Sequence, residues 1–144
     1  MRNLIAVVLG GLLVLSCNEE VEQKVLDVEK FTISVPSTWT VENVQGYDSF
    51  VRQIRINEQE KVNIDLGWYS SSLEVDNTAH DIDVKVIDNK RAKIVRPRNF
   101  QKGVTGVYFD SLDNQKTKFE MSGVDLSPES QRLLLNAIET LRFK

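Results

Sequence analysis

The chain has 144 residues, 41% of them hydrophobic and 27% charged, with a formal charge of -3, one cysteine and one histidine. A domain of that length buries roughly two-thirds of its unfolded surface, so neither disulfides nor a structural metal are needed to hold one core together. One cysteine excludes an intrachain disulfide and one histidine excludes paired imidazole chemistry. Mild acidity without a Lys/Arg run argues against nucleic acid as a partner.

The first residues, Met1-Arg2-Asn3, supply one base and no acid, and Leu4 to Leu15 form an apolar run broken only by Gly10-Gly11. A basic start and an apolar stretch of about a dozen residues fit a secretory signal, and the stretch is short of the roughly 20 residues a spanning helix needs. The run ends at Val14-Leu15-Ser16-Cys17, followed by the acidic, polar segment Asn18-Glu19-Glu20-Val21-Glu22-Gln23-Lys24, which reads as a solvated tether.

Val14-Leu15-Ser16-Cys17 resembles the lipobox of bacterial lipoproteins, although Leu15 stands where Ala or Ser is commoner. The resemblance implies cleavage between Ser16 and Cys17, diacylglyceryl transfer to the Cys17 thiol, and acylation of the new amino group. Two or three acyl chains, at about 0.8 kcal/mol per buried methylene, anchor firmly what a single chain holds reversibly. Asn18 resembles outer-membrane sorting rather than inner-membrane retention, and Glu19-Glu20 resembles the surface-export signal of Bacteroidetes lipoproteins. The expected organisation is a signal peptide at 1–16, a lipidated tether at 17–28 and a folded domain at 29–144.

Within that domain, period-two alternation dominates. Phe31, Ile33 and Val35 share one face of a strand that ends at Pro36, and Trp39 to Val41 resumes after the turn. Phe50, Ile54 and Ile56 face one way on the next strand and Val51, Gln53 and Arg55 the other. Val62, Ile64, Leu66 and Trp68 share a parity opposite Asn63 and Asp65, which predicts one buried and one wet face, with Trp68 and Trp39 as core residues. Ser70 to Thr78 is the best loop. Ile82–Ile87 and Ala92–Val95 flank Asp88-Asn89-Lys90 as a hairpin, and 104–110 with 116–122 form a second one.

The period changes only near the end. Ser127-Pro128-Glu129 supplies an N-cap, a proline at the first helical position and an acid in the first turn. Leu133, Leu134, Ala137, Ile138 and Leu141 then make one apolar stripe. The predicted class is α+β, an antiparallel sheet with a C-terminal helix packed on one face. Phe31-Thr32-Ile33-Ser34-Val35-Pro36-Ser37-Thr38-Trp39 resembles the opening strand and Pro-x-x-Trp turn of PsbP-like domains. Ala137-Ile138-Glu139-Thr140-Leu141-Arg142-Phe143 resembles their closing helix and terminal strand. Thr38 and Thr140 stand where that family usually has Gly and Ser. The resemblance implies an accessory or binding role rather than catalysis.

No nucleophile elbow and no phosphate-cradling glycine loop is present, because Gly103-Val104-Thr105-Gly106 lacks the Lys-Ser/Thr partner and does not enter a helix. Acylation would convert the Cys17 sulfur to a thioether and remove the one thiol nucleophile. His80-Asp81-Ile82-Asp83 offers at most a weak oxygen-rich cation site and reads first as a solvated loop entering a strand. No cofactor or metal is expected. Lys85, Lys90, Arg91, Lys93, Arg96, Arg98 and Lys102 face a single acid, Asp88, within their segment. They read either as a solvated hairpin face or, with Tyr69, as a surface for an anionic ligand or another envelope protein. The expected function is that of a lipid-anchored binding or accessory module of the bacterial envelope, at the outer membrane. The alternatives are an enzyme with an unrecognised site and an immunity-type lipoprotein that blocks a protein partner.

Overall fold

A computed structural model describes residues 20–144, so the expected signal segment, with Ser16 and the expected acylation position Cys17, lies outside the described residues. The described residues form ten strands and one helix: β1 (Gln23–Asp27), β2 (Phe31–Pro36), β3 (Thr40–Asn43), β4 (Phe50–Arg55), β5 (Lys61–Gly67), β6 (His80–Ile87), β7 (Lys90–Pro97), β8 (Val104–Phe109), β9 (Lys118–Val124), α1 (Pro128–Ile138) and β10 (Arg142–Phe143). The α+β class holds, with antiparallel pairing throughout. The strands divide into two sheets, a point that alternation alone did not reveal. Strands β1-β2-β10 form a small sheet, and β3-β4-β5-β9-β8-β7-β6 form a large one.

The small sheet and α1 cover one face of the large sheet, termed the inner face. Phe31, Ile33 and Val35 of β2 join Ile54, Val62, Ile64, Val107, Phe109, Phe119 and Met121 of the large sheet in one core. Phe31, Phe109, Phe119 and Phe143 lie edge to face, with Phe109–Phe143 centroids 5.0 Å apart and Phe119–Phe143 centroids 5.2 Å apart. Leu134, Ala137, Ile138 and Leu141 are buried, as their helical spacing requires. The helix starts where the sequence says: Ser127 Oγ accepts from the Ser130 N–H at 3.2 Å, and Pro128 opens the first turn. Glu60, in the β4–β5 turn, also accepts from the Ser127 N–H and, at 2.7 Å, from the Ser130 hydroxyl.

Two expectations need correction. The polar segment assigned to the tether becomes strand from Gln23, pairing with β2 from Gln23↔Pro36 to Asp27↔Thr32. The alternation Lys24, Leu26, Val28 is real, but charged neighbours conceal it. Trp39 is buried as expected, whereas Trp68 is 62% exposed. The ladder ends at Gly67↔Lys118, so Trp68 sits in the turn beyond the last paired residue, where no partner strand covers it.

Candidate functional site

The register of the large sheet gives its outer face residue by residue. Val84, Lys93, Tyr108, Glu120, Asp65 and Val51 are successive cross-strand neighbours in one row. A second row runs Ile82, Val95, Gly106, Ser122, Asn63 and Gln53. Where the inner face is apolar, this face carries charges, hydroxyls and amides.

The connection from β5 to β6 must cross β9, β8 and β7, because β6 lies at the far edge of the sheet. It does so as a strap over the outer face. Lys93 Nζ donates to the Ser72 carbonyl at 2.6 Å, lies 3.8 Å from Glu74 Oε1, and sits 5.3 Å from the Tyr108 ring centroid. Leu73 takes a left-handed backbone (φ 53°) and is buried, as is Val95; both lie outside the main core. The strap is therefore pinned by one lysine and one leucine.

Between strap and sheet lies a half-open cleft of about 160 Å³, lined by Ser72, Glu74, Val84, Arg91, Lys93, Tyr108 and Asp110. Its base is polar. Glu120 is 8% exposed; burial pushes its carboxyl above the usual range, the Ser122 hydroxyl opposes this, and the neighbouring charge of Asp65 adds to it. Asp65 Oδ1 and the buried Ser70 hydroxyl have no hydrogen-bond partner. Burial, then the charges of Asp110 and Glu74, raise the Tyr108 phenol.

The seven cations singled out in the sequence do not form one patch. Alternation puts Arg91 and Lys93 on the outer face and Lys85 and Arg96 on the inner side of the β6–β7 overhang. There Lys85 pairs with Glu139 beyond the end of α1, while Arg96 reaches Asp83 at 3.3 Å and Asp81 at 3.7 Å. Arg98 binds Asp81 at 2.9 Å. Lys90 hydrogen-bonds the Asp88 carbonyl at 3.4 Å and lies 5.8 Å from the Phe143 ring. Among the described residues, Arg91 is the cleft cation with no ion pair. Tyr69 is 80% exposed, in the turn beside Trp68, and does not line the cleft.

His80 is buried rather than solvated, and it faces away from Asp81 and Asp83. Its Nε2 accepts the Val104 N–H at 3.0 Å, which leaves Nδ1 to donate to the Asp76 carbonyl at 3.0 Å. The histidine ties the end of the strap to the start of β8. No group of three metal-ligating side chains is present among the described residues.

Asp65, Glu120, Tyr108, Ser72 and Glu74 escaped the sequence reading. The available signal was Phe119-Glu120-Met121, a carboxylate between two core residues of a strand. No family model matches this chain, and no curated protein is significantly similar to it. No described helix is long and apolar enough to cross a membrane.

Proposed function

We propose that this protein is a lipid-anchored binding module of the bacterial envelope, acylated at Cys17, whose PsbP-like domain takes a small organic anion in the cleft of the outer face. The carrying observation is Arg91: a guanidinium in a cleft beside an aromatic ring and an aliphatic side chain, with no carboxylate within ion-pair distance among the described residues. Planar guanidinium groups recognise carboxylates and phosphates in a bidentate manner. Val84 and the Tyr108 ring are placed to receive the apolar part of the same ligand, while Lys93 stays committed to the strap. The PsbP-like assignment is supported by the way the two motifs that carry it meet: Phe143 pairs with Phe31 in the small sheet, and the Trp39 of the Pro-x-x-Trp turn is buried in the core.

Benzoate is the probe that carries both features. Binding at about ten times Kd stabilises a protein by about 1.4 kcal/mol, enough for a thermal-shift assay. Benzoate should raise the melting temperature more than acetate or phosphate, and Arg91→Gln should abolish the difference. Equal shifts in the variant, or none in the parent, would remove the cleft from consideration. For the anchor, Cys17→Ala should leave an uncleaved precursor or release the protein from the membrane fraction; a cleaved, membrane-bound variant would refute lipidation at that residue.

A further inference from the structure

The β6 strand inverts the pattern of the sheet to which it belongs. Its charged residues, Asp81, Asp83 and Lys85, point to the side that is core elsewhere, and Ile82, Val84 and Val86 point outward, 40%, 56% and 74% exposed. It is also an edge strand, eight residues long, continuous with β7 from His80↔Pro97 to Ile87↔Lys90, and without a proline. A long edge with exposed apolar residues is a template for another strand, which proteins normally shorten, charge or cover.

We infer that two copies of this chain pair through β6 in antiparallel fashion, with Val84 opposite Val84 on a two-fold axis. The register follows from the sequence of the edge itself, His80-Asp81-Ile82-Asp83-Val84-Lys85-Val86-Ile87. Centred on Val84, Asp83 of each copy faces Lys85 of the other, beside the Arg96 and Glu139 with which they already pair in their own chain, and Ile82 faces Val86, so the two apolar stripes become one and opposite charges alternate across the junction. Centring one residue earlier sets Asp83 against Asp83; one residue later sets Lys85 against Lys85. Centring on Ile82 places Asp81 against Asp83. Only the Val84 register pairs opposite charges without setting like charges face to face and buries the whole stripe. It joins the two large sheets and brings the two clefts, each lined by its own Val84, side by side.

Antiparallel neighbours lie within disulfide range, whereas residues two positions off the axis in each chain lie far beyond it. In the full-length, membrane-associated protein, Val84→Cys should give a disulfide-linked dimer under mild oxidation. Its yield should exceed that of Ile82→Cys or Val86→Cys tested singly by at least about tenfold. Co-expressed, differently tagged Asp83→Cys and Lys85→Cys chains should cross-link with each other and not with themselves. Val84→Lys, an exposed substitution that sets two ammonium groups face to face, should halve the mass seen by sedimentation without changing the circular dichroism. Equal cross-linking at 82, 84 and 86, cross-linking to a different protein, or a folded parent that sediments as a monomer would each overturn the self-pairing.

Discussion

The two faces of the large sheet are made from the same strands and serve opposite ends. The inner face is filled by Ile54, Ile64, Phe119 and Met121 under α1 and the small sheet, and its few polar groups have defined partners or sit at its rim. Thr105, a buried inner-face hydroxyl with no partner, is the exception. The outer face holds a carboxylate row, a pinned strap and a cleft, and it leaves Asp65 and Ser70 unsatisfied. Buried polar groups left without partners cost stability, so the outer face is where the fold gives up stability for something other than packing.

The largest test of that division is truncation on each face. Phe119→Ala removes a ring packed against Phe31, Phe109 and Phe143 and should cost about 3–5 kcal/mol in urea unfolding. Tyr108→Ala, one row away on the other face, should cost less than half of that while disturbing the cleft. Similar losses from both would erase the distinction.

Two carboxylates, Glu60 at the helix cap and Glu120 on the outer face, should answer pH with opposite signs. Burial pushes Glu60 up, but hydrogen bonds from Ser127, Ser130 and Asn57 outweigh it and hold the group below the usual range. Its stabilisation is therefore present above the unfolded-state pKa and is lost as pH falls through the lower, folded one. Glu60→Gln should destabilise by about 1–2 kcal/mol at pH 7 and by much less in acid. Glu120 is shifted the other way, so its ionisation in the folded state costs stability as pH rises past the unfolded-state pKa. Glu120→Gln should accordingly stabilise by less than about 1 kcal/mol at pH 7 and do little near pH 4. Thermal melts of both variants at the two pH values would show whether the signs differ; a common sign would mean that the cap carboxylate and the outer-face carboxylate are not held in opposite ways.

Much of this fold was legible because local rules agreed with global ones. The alternation of Phe31–Val35 and Val62–Leu66, the Asp88-Asn89 turn with both residues at positive φ, and the Ser127-Pro128 cap all follow from neighbouring residues alone. The site was less legible because it depends on pairing across the chain. Asp65 and Glu120 are 55 positions apart in sequence yet opposite in register, and the strap from Ser70 to Thr78 looked like an ordinary loop until the strand order required it to cross the sheet. The cationic run failed as a patch for a related reason. In a strand, neighbouring residues point to opposite faces, so a cluster in sequence is divided in space.

Strand β10 closes against the first strands. Phe143 pairs with Phe31 and completes the aromatic core, and the Lys144 N–H donates to the Lys30 carbonyl at 3.1 Å. The residue that completes the aromatic core thus lies more than 100 positions along the chain from the strand it must meet. A nascent or partly threaded chain has its two large apolar surfaces, β2 and the inner face, without the residues that seal them. Loop closure over such a separation is slow relative to local hairpin formation. The arrangement keeps the domain from locking shut until β10 has reached β2, which is a timing property written into the position of a single phenylalanine.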